Sequence, residues 1–259
     1  MTRETKTPGC LMAAEAAQCL TVFAASAVQD VPVVAMPDAI DTVARGSSDA
    51  AANILSYEFM RELGIPVTSL PPSIFSIGDG VAIHGAAALV IIQSGASHDL
   101  VLSAKGASKT GGTVLAITNA QDSLVEGVAD VTLPIGAGPE LAVPATKSVV
   151  GSVAAGMALL GRLKLDYAAK AQHAANAVTT ATLPAAQAEV LQAAFLRARH
   201  VYVIGRDTGL ADIQDSLDQA EARFRSVDCD VHRVRLSDLG VDGVTPRQPW
   251  RFCWRWCTL

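Results

Sequence analysis

Along the chain, short apolar runs end abruptly in small polar residues, and a helical pattern starts at once. The sharpest case is Val90-Ile91-Ile92 running into Gln93-Ser94-Gly95-Ala96-Ser97-His98-Asp99. It predicts a buried strand, a tight turn and a helix N-terminus. Apolar runs at 40–44, 65–70, 86–92, 113–118 and 131–135 predict five strands. Helical patterns cover 11–25, the stretch to Leu63, 97–109 and 146–163, and Asn119 and Asp122-Ser123 start a further short helix. Gly64 stops the helix before it. The run 31–36 is broken by Pro32 and its follower Pro37, and takes neither assignment. Strands alternating with helices at this spacing imply an α/β protein with a parallel sheet covered on both faces. Beyond it, 166–199 reads as a largely helical connector interrupted near Leu183-Pro184, and His200 to Gly205 as the strand that begins a second sheet. From Asp228 to Leu259 neither period is sustained, and all three tryptophans lie there. That stretch reads as an irregular tail.

The turn at 93–99 leaves backbone N–H groups unpaired at the positive end of a helix dipole. Ser94 and Ser97 add hydroxyl donors, and Gly95 lets the backbone come close to a bound group. The result suits an anion, above all a phosphate. Taken alone, an ordinary serine-capped helix start fits equally well. The same grammar recurs at Arg45-Gly46-Ser47-Ser48-Asp49. Both turns fall at the carboxyl ends of strands, where open parallel sheets bind ligands, and that coincidence favours one shared site. A third loop, 136–148, feeds the long apolar helix; read as a plain connection, it has Thr146 or Ser148 as its cap. Glu140 reads as a loop or interface carboxylate, His84 and His98 as surface residues, and Asp99 as a complement to its helix dipole.

Composition narrows the field. A chain of 259 residues can bury a sizeable core. Its net charge of −5 offers no basic footprint, which argues against nucleic acid as a partner. The five cysteines show no paired metal spacing and read as reduced thiols of a cytoplasmic protein. No metal or cofactor is expected. The first residues carry no evident signal peptide, and 86–92 is too short to span a bilayer, which needs about 20 residues. No membrane association is expected.

Four motifs in order resemble the SIS (sugar isomerase) family of phosphosugar-binding domains. They are Ala44-Arg45-Gly46-Ser47-Ser48-Asp49, Gln93-Ser94-Gly95-Ala96-Ser97, Ala137-Gly138-Pro139-Glu140 and Ala145-Thr146-Lys147-Ser148. Leu11 to Ala17 is similar to the start of that family's N-terminal helix, and the resemblance runs to about Gln214. It is strongest to the isomerase half of glucosamine-6-phosphate synthase and to SIS-type glucosamine-6-phosphate deaminases. The resemblance implies a three-layer fold with a five-stranded parallel sheet, tandem SIS domains, and a homodimer. It implies a sugar phosphate such as glucosamine 6-phosphate or fructose 6-phosphate as ligand. Residues matching Gly46, Ser47, Ser48, Gln93, Ser94 and Ser97 would hold the phosphate and sugar hydroxyls, with Gly95 in the turn, and Val143, Ala145 and Thr146 would line the sugar. Serines of the synthases are replaced here by Ile92 and Ala145.

The domains so implied are an N-terminal helix at 1–29, a first SIS domain at 30–165, a connector at 166–199 and a partial second SIS domain at 200–259, atypical from about 215. The family's proton-transfer chemistry belongs to that second domain, on a helix following a Gly-Arg turn. Gly205-Arg206 and Gln214 match it, but the helix then departs. Asp215 stands at one carboxylate position, Gln219 at the lysine and Ala222 at the catalytic glutamate. The family's His-Gly-Pro loop has no counterpart. Either the chain has diverged into a binder, or a reading-frame change near Gln214 has replaced the family sequence. The two function classes are thus a phosphosugar-binding module and an active aminosugar-phosphate isomerase or deaminase.

Overall fold

The computed structural model describes residues 9–142, 144–181, 185–195, 197, 200–205 and 230–235. Five parallel strands form one sheet: β1 (Ala39–Val43), β2 (Val67–Ser69), β3 (Ala86–Ile92), β4 (Thr113–Thr118) and β5 (Val131–Pro134), in the order β2-β1-β3-β4-β5. Val43 lies beside Val90, and Ile92 beside Thr118. The helices are α1 (Cys10–Ala16), α2 (Cys19–Ser26), α3 (Ser47–Leu63), α4 (Ser73–Ser76), α5 (His98–Lys109), α6 (Lys147–Leu163), α7 (Tyr167–Thr179) and α8 (Ala185–Phe195).

The period-2 alternation of strand side chains divides the core in two. Leu89, Ile91, Leu115 and Ile117 pack with Leu55 and Phe59 of α3, Leu159 and Leu160 of α6 and Tyr167 of α7. Ala88, Val90, Ile92, Val114 and Ala116 face the other way, onto Phe75 of α4 and Leu100, Val101 and Ala104 of α5. Both faces of β3 and β4 are therefore covered, which is why these strands are continuous apolar runs rather than alternating ones. Each large side chain so buried contributes roughly 1.5–3 kcal/mol. This is the expected three-layer α/β fold.

Several expectations are corrected. The helix expected over 11–25 is broken in two, because the Gln18 amide bonds the Glu15 carbonyl, three residues back, and tightens the chain there. The strand expected at 65–70 shortens to Val67–Ser69, and α4 has no counterpart among the expected elements. The short helix expected near 119–123 is a set of turns. Asp122 takes a left-handed φ of 52°, and the Val125 amide bonds the Gly95 carbonyl instead of continuing a helix. The stretch assigned to an irregular tail contains β7 (Asp230–Arg235), paired in parallel with β6 (His200–Gly205). Finally, the sequence places Val149, Val150, Val153, Met157, Leu160 and Leu163 on one helix, too many for one modest packing face, and so predicts a partly uncovered surface. No described residue of α6 is in fact exposed, because α2, α3 and α7 all pack on it. Gly156 makes this closeness possible: a Cβ there would fall on the Leu55 side chain.

Among the described residues, no helix is long and apolar enough to cross a membrane, and no cluster of side chains is arranged to hold a metal ion.

Candidate functional site

The strand order fixes where a site can form. From β1 the chain moves outward to β2, then returns to place β3 on the other side of β1. The carboxyl ends of β1 and β3 are thus a topological switch point, the usual crevice for ligands in open parallel sheets. A cleft of about 420 Å³ opens there. Its walls come from three places: Arg45, Gly46, Ser47 and Ser48 after β1; Ile92, Gln93, Ser94, Ser97 and Leu100 after β3; and Ala145, Ser148, Val149 and Ser152 at the start of α6.

The two serine turns therefore do share one cavity. Gly46 holds the N-cap position of α3 at φ 59°, where a left-handed backbone favours glycine. Ser97 holds the N-cap position of α5. Neither turn spends a side chain on capping its helix. The Ser94 and Ser97 hydroxyls lie 3.5 Å apart, and Ser94 Oγ also accepts a 3.4 Å bond from the Ala96 amide. Plain serine capping, the alternative reading of these turns, is therefore not what the side chains do. The cleft joins two helix N-termini with four serines from the two turns, a donor-rich environment suited to an oxyanion.

The third wall is held from outside the cleft. Glu140 accepts hydrogen bonds from the Thr146 amide (2.9 Å), the Ser148 amide (3.3 Å), the Thr146 hydroxyl (3.3 Å) and the Ser148 hydroxyl. The expected caps, Thr146 and Ser148, are thus donors to a carboxylate that does the capping. Burial pushes the Glu140 carboxyl up, but the Ser148 hydroxyl, the two amides and the Thr146 hydroxyl outweigh it and hold it below its usual range. Glu15 of α1, itself buried, accepts the amides of Leu141 and Ala142. Lys147, also buried, donates to Gln18 Oε1 at 2.9 Å. Ser26 of α2 donates to the Ile135 carbonyl at 2.6 Å. The N-terminal helices thereby fasten both ends of the loop that leads into the cleft. Nearby, burial and the Glu140 carboxylate raise the Cys19 thiol, so it stays protonated. Cys10 and Cys19, the described cysteines, are both free.

The structure brings together Gly46, Ser47, Ser48, Gln93, Ser94, Ser97 and Ala145 as cleft-lining residues. Thr146 turns its hydroxyl to Glu140 and does not line the cleft. Gly95 likewise stands behind the wall. A Cβ there would fall on Ser123 and lie 3.0 Å from Thr118 Oγ1, so the residue is packed closely against the protein's own loop. Val143, Asp215, Gln219 and Ala222 lie outside the described residues. His84 and His98 are exposed, as expected, and Asp99 pairs with Arg45 at 3.0 Å. Arg45 and Ser152 were not among the expected site residues. Arg45 stood inside the first quoted motif; Ser152 is one helical turn after Ser148, a spacing that puts both on one face. Asn119, expected to start a helix, instead clamps the third loop through the Ala137 amide (2.8 Å) and the Gly138 carbonyl (2.7 Å).

Comparison with known proteins agrees with this geometry. The SIS domain family model matches residues 35–162. A solved structure from Silicibacter pomeroyi DSS-3, described as a candidate phosphosugar isomerase, is 30% identical, with a TM-score of 0.64 over 91% of this chain and 69% of that one. The C-terminal domain of glucosamine-fructose-6-phosphate aminotransferase from Francisella tularensis shares the fold, with a TM-score of 0.71 at 17% identity over 93% and 73% of the two chains. The glutamine–fructose-6-phosphate aminotransferase (isomerizing) of Leifsonia xyli subsp. xyli is 32% identical over 118 residues, 46% of this chain and 19% of that protein. The chain belongs to the SIS domain family and carries a phosphosugar-isomerase-type domain related to aminosugar-phosphate enzymes. It spans about a fifth of the length of the curated relatives it matches.

Proposed function

We propose that this chain binds a sugar phosphate such as glucosamine 6-phosphate or fructose 6-phosphate, with its phosphate between the turns at 46–48 and 93–97. The observation that carries the reading is that both turns, each at a helix N-terminus and neither using its serines as caps, open on one cleft. The family resemblance assigns Val143, Ala145 and Thr146 to the sugar, and of these Ala145 lines the cleft. The first SIS domain occupies 30–165, after an N-terminal segment at 1–29. The connector at 166–199 leads to a partial second domain from 200, with an atypical tail from about 215. Calorimetric titration with glucosamine 6-phosphate should show binding that weakens in Ser94→Ala, and equal affinity for unphosphorylated glucosamine would sink the phosphate reading.

Binding is proposed without turnover at a family-like rate. Moving a proton at carbon needs a base within hydrogen-bond reach, and such catalysis typically supplies about 10²–10⁴ in rate. The family positions for that work hold Asp215, Gln219 and Ala222. Alanine exchanges no proton, and an amide is a poor base. The competing reading, an active deaminase or isomerase, requires those groups to come from elsewhere. A cytoplasmic homodimer belongs to the same proposal. Since α6 is covered, the dimer now rests on the family resemblance alone, and light scattering across a dilution series tests it.

A further inference from the structure

Arg45 is the one cationic side chain lining the cleft among the described residues. It follows β1, and its Nη1 lies 3.0 Å from Oδ2 of Asp99, in the first turn of α5 after β3. The pair thus bridges the two turns that the phosphosugar reading assigns to the phosphate. Its charges are unequal partners for a ligand. The guanidinium has five donors and suits a phosphate as well as a carboxylate. The Asp99 carboxylate occupies the same helix N-terminus that would attract the phosphate, and two anions there repel. Arg45 is 64% exposed and Asp99 28%, and an ion pair so open to water is held weakly.

We propose that Arg45 and Asp99 form an exchangeable counter-ion pair. Asp99 holds the guanidinium in the pair; a bound phosphate takes Arg45 over, and Asp99 is released to water. Arg45 is then a specificity-determining residue for phosphorylated over neutral ligands, and Asp99 sets a threshold that weaker anions do not pass. This rests on the phosphosugar reading of the cleft.

The test is calorimetric titration of glucosamine 6-phosphate into the full chain and its Arg45→Ala, Arg45→Lys, Asp99→Asn and Ser94→Ala variants at fixed ionic strength. Because hydrogen bonds to charged groups are the strong ones, Arg45→Ala should weaken binding about tenfold or more, and Arg45→Lys should lose less. Asp99→Asn should tighten binding, by roughly two- to fivefold, because it frees Arg45 and removes a competing anion. A loss below tenfold in Arg45→Ala overturns the proposal. So does weaker or unchanged binding in Asp99→Asn, which would make Asp99 a fixed support for Arg45. If the unaltered chain binds and Ser94→Ala weakens it while these variants fail, the phosphosugar reading stands and this inference falls. If the unaltered chain does not bind, both fall. Thermal melts of each variant separate these outcomes from misfolding.

Discussion

Replacing Glu140 by alanine should destabilise the protein by about 2–3 kcal/mol. The carboxylate caps α6, and losing a side-chain cap costs about 0.5–2 kcal/mol. A partly buried anion at a helix N-terminus adds about 0.3–2 kcal/mol. The hydroxyls of Thr146 and Ser148 can turn to other acceptors, but the two amides they accompany have fixed directions. For a protein of this size each kcal/mol lowers Tm by about 2–4 °C, so Glu140→Ala should melt about 5–10 °C lower. Glu140→Gln keeps an acceptor without the charge and should lose roughly half as much. The pH dependence separates charge from shape. The folded carboxyl is held below its ordinary 4.5. Its ionic contribution is therefore full above that value and is lost as pH falls through the lower folded one. Thermal melts of both variants and the parent at pH 7 and at pH about 3.5 are the assay. A gap between parent and Glu140→Ala that does not shrink in acid would refute the electrostatic argument. An alanine variant as stable as the parent would refute the capping itself.

Other substitutions have equally definite outcomes. Gly95→Ala combines a left-handed φ of 64° with a Cβ directed onto Ser123, and should cost about 2–5 kcal/mol in urea unfolding. Adding Ser123→Gly should recover the packing part and leave the backbone part. Glu62 accepts hydrogen bonds from Lys170 (2.7 Å) and Lys164 (3.0 Å), which hold its carboxyl below the usual 4.5. Glu62→Gln should therefore be less stable at neutral pH, with the difference fading as pH falls through the lowered value; a difference that persists in acid contradicts the assignment. Purified protein of verified mass should interconvert fructose 6-phosphate and glucose 6-phosphate, and release ammonia from glucosamine 6-phosphate, at well under about 1 s⁻¹. Ordinary turnover of either substrate would overturn the impaired reading.

The sheet was legible because its central strands are buried on both faces. The 86–92 and 113–118 runs carry no polar interruption, and the structure reproduces them as β3 and β4. The serine turns were legible for a related reason: small polar residues directly after such a run have little else to do but turn the chain. Long-range side-chain bonds were not legible. Nothing local in Glu15 or Glu140 says that one fastens a loop 126 residues away or that the other caps a helix from outside it. Gly95 shows the limit in the other direction. The sequence predicts a close approach to a bound group there, while the structure shows tight packing against Ser123, a partner that sequence spacing does not reveal. The departures at Gln219 and Ala222 were visible only against a family pattern, since neither residue is unusual by itself.

The bonds from α1 and α2 to the third loop also impose an order in time. Glu15 waits for Leu141, 126 residues later, Ser26 for Ile135 and Gln18 for Lys147. At a synthesis rate of about 5–20 residues per second, the Glu15 interval is about 6–25 s. Through that interval the sheet can assemble strand by strand on the ribosome, while the N-terminal helices have neither α6 to pack on nor a loop to fasten. Made before the sheet, α1 and α2 reach these partners only after it, and the nascent chain depends for those seconds on keeping them free of other apolar surfaces.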